Sequence, residues 1–197
     1  MSEPARSSVG ARRNPETETA VLDAAAAIIA EDGFQKLTME AVARRARAGK
    51  ATVYRWWPSR GHLLLAVYSR AKATFTEPDT GDLATDLTEY VAQMLRQAHG
   101  GDGQEPLGPI LRLLIAEAQL DDTLQAAMQQ ERQERWLHID NIIKRAQDRG
   151  QLNPAISLND AEKRVISLYW YHLLNGTLPL PQQAAEFVSS MLVDLRA

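Results

Sequence analysis

The stretch Leu37–Leu63, LTMEAVARRARAGKATVYRWWPSRGHL, decides how the rest of the chain is read. Its pattern predicts two short helices, a tight turn and the start of a third helix. Thr38 is placed to cap the first, and Glu40 lies in the first turn, where the positive end of a helix favours an anion. Val42, Ala43 and Ala46 give that helix a small apolar face. Arg47, Ala48 and Gly49 interrupt the run. Gly49 can cap a second helix from about Lys50 to Trp57, which Pro58 ends. Lys36, Arg44, Arg45, Arg47, Lys50, Arg55 and Arg60 make seven basic residues against the single acid Glu40. So dense a positive footprint suits phosphate. Two short helices joined by a three-residue turn, with Arg and Tyr on the second, form the helix-turn-helix pattern in which that helix enters the major groove.

Val53 and Trp57 are expected to take the buried side of the second helix, leaving Lys50, Thr52, Tyr54, Arg55 and Trp56 exposed. Arg55 is the candidate for a two-hydrogen-bond contact to guanine, worth about 1 to 3 kcal/mol of base discrimination. The plainer alternative is a solvated basic face beside a packed aromatic.

Gly33-Phe34, Leu37-Thr38, Val42-Ala43, Ala46, the run Lys50 to Arg60 and Leu63 resemble the N-terminal domain of the tetracycline-repressor (TetR) family. The resemblance implies an all-α protein in three parts: a disordered basic arm at 1–15, a helix-turn-helix DNA-binding domain of three helices at 16–62, and a helical ligand-binding and dimerisation domain at 63–197. By resemblance Thr38, Tyr54, Trp56 and Arg60 hold phosphates, Trp56 through its indole N–H. With Arg47, Lys50, Ala51, Thr52 and Arg55 they make up the expected DNA-binding set. The chain departs from the family pattern at Arg47, where the turn glycine usually stands, at Ala48 and at Gly61. A side chain at a left-handed turn position costs about 1 kcal/mol.

The charge is divided along the chain. Residues 1–60 carry ten Lys/Arg and seven Asp/Glu, whereas the remainder carries twelve and eighteen, so the basic end is the one that suits a polyanion. There is no cysteine, which excludes disulfides and thiolate metal sites and fits a reducing cytoplasm. No apolar run approaches the ~18 to 20 residues of a membrane span, and the N-terminus lacks the apolar core of a signal peptide. Met1 to Pro15 has almost nothing to bury and reads as an arm whose Arg6, Arg12 and Arg13 suit a minor groove.

Val21, Leu22, Ala25, Ile28 and Ile29 fall at helical spacing before Gly33 and predict a first helix packing on Phe34, Leu37, Val42, Val53 and Trp57. Ser59 is placed to cap a longer helix in which Leu63, Leu64, Val67, Ala71 and Phe75 recur. After a break at Glu77 to Gly81, the expected helices are Asp82 to Ala98, Pro106 to Gln119, Thr123 to Arg149, Leu158 to Asn175 and Gln182 to Leu195. Ile166 to Leu174 is apolar on nearly every side, so it must be covered on two faces. The resemblance implies that the last two helices pair with those of a second subunit, and Trp170, Leu173, Phe187, Val188 and Met191 are the expected dimer contacts.

A small-molecule cavity is expected among the C-terminal helices, where polar and aromatic groups interrupt apolar runs. Its expected lining is Met94, Glu117, Trp136 and Tyr169, and a carboxylate in the wall favours a neutral or cationic organic ligand. Catalysis is not expected. His62, His99, His138 and His172 are scattered, His138 and Asp140 point to different faces of a helix, and no phosphate loop or nucleophile motif is present. No metal and no cofactor is expected. The expected function is a cytoplasmic homodimeric repressor of a palindromic double-stranded DNA operator, released by an unidentified ligand. The rivals are a regulator or activator that answers to no ligand, and a helical interaction protein that no longer binds DNA.

Overall fold

Asn14 caps the first helix: its side-chain oxygen accepts from the Glu16 N–H at 3.0 Å, and Pro15 supplies a first helical residue with φ already set. The computed structural model describes residues 14–101 and 105–195, apart from the side chains of Glu134 and Arg135. Helix α1 is Pro15–Asp32, so Pro15 belongs to the helix and not to the arm. Arg6, Arg12 and Arg13 lie outside the described residues. Gly33, at φ 81°, ends α1 by donating its N–H to the Ile29 carbonyl at 3.2 Å. A 3₁₀ turn at Phe34–Lys36 leads to α2 (Met39–Arg45), α3 (Lys50–Trp56) and α4 (Arg60–Ala71). Val21, Leu22, Ala25 and Ile28 are buried, as are Leu37, Val42, Val53 and Trp57 of the residues expected to meet that stripe, while Ile29 and Phe34 are half-buried. Ser59 accepts from the His62 N–H and so caps α4.

The turn between α2 and α3 is built on an unusual residue. Arg47 has φ 52°, the Ala48 N–H donates to the Ala43 carbonyl at 3.0 Å, and the Arg47 N–H donates to the Arg44 carbonyl at 3.3 Å. These are the two bonds of a Schellman motif, which glycine usually closes because a Cβ is strained there. Arg47→Gly is therefore expected to raise unfolding free energy by up to about 1 kcal/mol, the relief of strain being partly offset by the greater freedom of glycine in the unfolded chain. Denaturant titration of the two proteins measures it.

The chain divides into two compact units between Val67 and Tyr68, within α4. The second unit contains α5 (Leu83–His99), α6 (Leu107–Ala118), α7 (Asp122–Asp148), α8 (Leu158–Asn175) and α9 (Ala184–Met191), and no β-sheet forms among the described residues. Its core joins Leu87, Tyr90 and Leu95 of α5 to Ile142 and Ile143 of α7, Leu173 of α8 and Val188 of α9. Two helices are shorter than expected. α4 stops at Ala71 because tertiary contacts pull the next segment straight: Arg145 of α7 binds Glu77 and the Pro78 carbonyl, Asn141 donates to Glu77 at 3.0 Å, and Arg149 binds Asp79. Phe75, expected on the helix, instead packs edge-on against Tyr90 with ring centroids 5.7 Å apart. α9 ends at Met191, beyond which Asp194 turns at φ 63° and the Leu195 carbonyl accepts from the Asn153 N–H at 2.9 Å.

α8 does have more than one apolar face, but their assignment differs from the sequence expectation. Leu173 faces the unit's own core, and Phe187, Val188 and Met191 of α9 are buried with it at 0 to 7% exposure. Trp170 is half-buried against the same core. Of the five expected at a dimer interface, Leu173, Phe187, Val188 and Met191 are thus buried within the single chain, and Trp170 keeps a partly exposed side. The outward positions are Arg164, Ser167, Tyr171 and Leu174, spaced three and four apart as a helix-packing seam is, with Val193 exposed beyond α9.

Candidate DNA-binding face and ligand cavity

In α3 the apolar residues at i and i+3 decide which way the helix faces. Val53 and Trp56 are buried at 0 and 8% exposure, Trp57 follows at 3%, and the two indoles meet edge to face with centroids 5.7 Å apart. Trp56 is thus a packing residue and not the exposed residue expected. The spacing itself carries the signal: position i+3 from Val53 shares its face, whereas i+4, Trp57, already lies beyond the helix end. Lys50, Ala51, Tyr54 and Arg55 are exposed and Thr52 is half-buried. Thr38 is exposed while its hydroxyl oxygen caps α2 by accepting from the Ala41 N–H at 3.1 Å. Arg60 lies over the Phe34 ring, its guanidinium carbon 4.6 Å from the centroid.

Glu40 does more than face the helix dipole. It accepts from Lys50 at 2.6 Å and from the Tyr54 hydroxyl at 3.1 Å, so one carboxylate on α2 orders two side chains of α3. The Lys50 hydrogen bond, chiefly, holds its carboxyl below the ordinary value of 4.5. Arg45 is neutralised in the same way by a two-bond contact to Glu31 at 2.7 and 2.6 Å, which depresses the Glu31 carboxyl. Arg47 and Arg55 are exposed, and among the described residues neither pairs with a carboxylate. Both Glu31 and Glu40 have folded pKa values below their unfolded ones. The stability they contribute is present above about pH 4.5 and is lost as pH falls through the depressed values. The melting temperature is accordingly expected to fall below pH 4.5, and less steeply in Glu40→Gln.

The second unit encloses a cavity of about 50 Å³. Met94 of α5, Trp136 of α7 and Tyr169 of α8, three of the four residues expected there, line it. Glu117 does not: it is half-buried on α6, outside the lining. Trp170 and Met191, expected to contact a second subunit, line the cavity instead. Gly108 brings α6 against α5 at the wall, where an added Cβ would lie 2.9 Å from the Ala98 carbonyl oxygen. Tyr68, Gln97, Arg132 and Tyr169 bring polar groups to it, and among the described residues no carboxylate lines the space. The charge in the wall is therefore a guanidinium, opposite in sign to the expected one. Sequence alone places Arg132 one helical turn before Trp136 and no more. His138, also on α7, is packed against Tyr90 with centroids 5.7 Å apart, and its buried Nδ1 has no hydrogen-bond partner among the described residues. No cluster of three or more metal-ligating side chains occurs among the described residues.

Comparison with known proteins agrees with this arrangement of a helix-turn-helix unit followed by a helical unit. Residues 21–67 match the family model for bacterial regulatory proteins of the tetR family, and residues 77–191 match that for the tetracyclin repressor-like C-terminal domain. The HTH-type transcriptional regulator AqdR of Rhodococcus erythropolis is 30% identical over 185 residues, covering 86% of this chain and 82% of that protein. The DNA-binding transcriptional repressor TetR of Mycobacteroides abscessus is 31% identical over 143 residues, 71% of this chain and 72% of that protein. The crystal structure of the TetR family transcription regulator SCO0332 superposes with a TM-score of 0.65 at 27% identity, covering 91% of this chain and 98% of that one. The chain belongs to the TetR family and is a helix-turn-helix transcriptional regulator.

Proposed function

We propose that the protein is a cytoplasmic homodimeric repressor, and not an enzyme, whose hold on a palindromic operator is released when a small organic molecule enters the cavity of the second unit. The observation that carries this reading is Tyr68, a cavity residue on α4, a helix whose first two turns belong to the helix-turn-helix unit. Occupancy of the cavity then bears on the helix that follows the DNA-binding motif directly. A ligand acts only through the difference in its affinity for the operator-competent and incompetent forms. The relative from Mycobacteroides abscessus is named a repressor, which favours repression over activation. No helix among the described residues is long and apolar enough to cross a membrane.

On the DNA, α3 lies in the major groove, with Lys50, Ala51, Thr52, Tyr54 and Arg55 facing base edges and neighbouring phosphates, while Thr38, Arg47 and Arg60 hold the backbone. Glu40 works against phosphate by its charge but keeps Lys50 and Tyr54 in one arrangement. Glu40→Gln is therefore expected to bind unrelated DNA more tightly and to discriminate the operator less, a change measured by competition with random-sequence duplex.

Mobility shift with DNA upstream of the protein's own gene tests the reading. Affinity is expected to fall steeply between 50 and 200 mM salt, by about 10³ to 10⁵ for six to ten phosphate contacts, with a slope lower by about one in Arg60→Ala. A complex that no cavity-binding molecule dissociates would remove the ligand from the reading. The absence of any salt-dependent complex would remove the operator.

A further inference from the structure

Among the described residues the cavity holds one charged group, and its surroundings specify what should meet it. Arg132 projects from α7 between two indoles, its guanidinium carbon 5.1 Å from the Trp170 ring and 5.4 Å from the Trp136 ring. Its Nε donates to the Met128 carbonyl one turn back at 3.2 Å, leaving the forked end of the guanidinium for other acceptors. Among the described residues no carboxylate pairs with it. The acid next to it in sequence, Glu131, is already bound to Lys72. Burial pushes the guanidinium below its ordinary pKa, as expected for a cation taken from water without a counter-ion. Cation–π contact with the two indoles offsets part of that cost. Two more donors stand in the same lining: the buried Gln97 amide, which donates to the Tyr68 hydroxyl at 3.5 Å, and Tyr68 itself. Most of the remaining lining is aliphatic or aromatic, with Met94, Leu111, Ile139 and the ring of Tyr169 among it.

Resting on the reading of this cavity as the regulatory site, we propose that its ligand is an organic anion, an apolar body carrying one carboxylate or similar acidic head, with the head on the Arg132 fork. A planar fork with parallel N–H donors matches a carboxylate in geometry as well as charge. A cationic head meets like-charge repulsion from Arg132, which already occupies the faces of the two indoles. A neutral one covers the guanidinium further without replacing the water it displaces. The size of the cavity adds a mechanism. About 50 Å³ accommodates roughly three or four waters, enough for an acidic head but not for a longer body. Such a body enters only by displacing half-buried side chains such as Met94 and Leu111, so the occupied unit differs from the empty one. That difference is what a ligand needs in order to shift a population.

Three probes of equal chain length separate the possibilities: octanoate, octanol and octylammonium, titrated into the full-length protein while melting temperature and tryptophan fluorescence are followed. Octanoate is expected to raise the melting temperature and to perturb the emission of Trp136 and Trp170. Octanol should bind about tenfold or more weakly, and octylammonium should give no shift. In Arg132→Met, which keeps an unbranched apolar stem, octanoate should lose its advantage over octanol while octanol binding persists, showing that the cavity is still folded. Equal binding of octanoate and octanol to the native protein, preference for octylammonium, or an octanoate affinity unchanged in Arg132→Met would each overturn the anion assignment and leave an apolar regulatory cavity standing. No binding of any probe overturns it too. Octanoate that binds through Arg132 yet leaves the operator complex intact at saturation would uphold the assignment and sink the release mechanism instead.

Discussion

Tyr171→Glu combined with Val193→Glu is expected to convert the protein from dimer to monomer and to lower operator affinity by about 10² to 10⁴-fold, the usual contribution of linking two binding modules. The two residues are 61% exposed in the single chain and belong to its outward surface at α8 and the end of α9. Neither is needed by the core of its own unit. Helical content should therefore be unchanged by circular dichroism, while sedimentation at micromolar concentration shows half the mass. Loss of operator binding follows because one helix-turn-helix reads only half of a palindrome, whose two half-sites lie about 34 Å apart. Val188→Glu would be no test of dimerisation at all. At 1% exposure it would bury an unpaired carboxylate in the core and unfold the unit. A double variant that remains dimeric would place the interface on another surface, and a native protein that sediments as a monomer would end the proposal.

Arg55→Ala should cost about 1 to 3 kcal/mol of discrimination at one base pair in each half-site, a factor of roughly 5 to 150, with little change at the other positions. Arg55 is exposed on α3 and, among the described residues, is not held by a carboxylate, unlike Arg45, which Glu31 occupies. The contrast with Arg60→Ala is what identifies the role. Removing a phosphate-binding guanidinium at Arg60 should weaken binding to all sequences alike, whereas removing a base-reading one at Arg55 flattens preference at one position. Binding of a library of operator variants by each protein measures both. If Arg55→Ala retains the parent preference at every base pair, another side chain on α3 is the reader.

The local features of the head were legible without a structure. The capping role of Thr38 and the end of α1 at Gly33 are decided within four or five residues by backbone sterics and hydrogen bonding, the range over which sequence acts directly, whereas the left-handed position of Arg47 was implied by the family resemblance. Periodicity predicted the stripe of Val21, Leu22, Ala25, Ile28 and Ile29, of which the first four are buried and Ile29 half-buried, and the interruption of apolar runs by polar and aromatic groups pointed to Met94, Trp136 and Tyr169, which line one cavity. What the pattern did not decide was which of two apolar surfaces covers a given side chain, although Val53 and Trp57 are buried as expected. Hydrophobicity states that a side chain leaves water but not which neighbour covers it. Thus Trp56 became core in place of an exposed contact, and Leu173, Phe187, Val188 and Met191 were spent inside one chain, leaving Tyr171 and Val193 outside. The end of α4 and the charge of the cavity depended on partners far away in the chain: Phe75, expected on the helix, packs on Tyr90 of α5 while Arg145 holds Glu77 just beyond it, and Trp170 met Arg132 across α7 and α8 where Glu117 had been expected. Those choices belong to the tertiary structure because burial and charge pairing are energies of neighbours in space, and only the folded chain determines who the neighbours are.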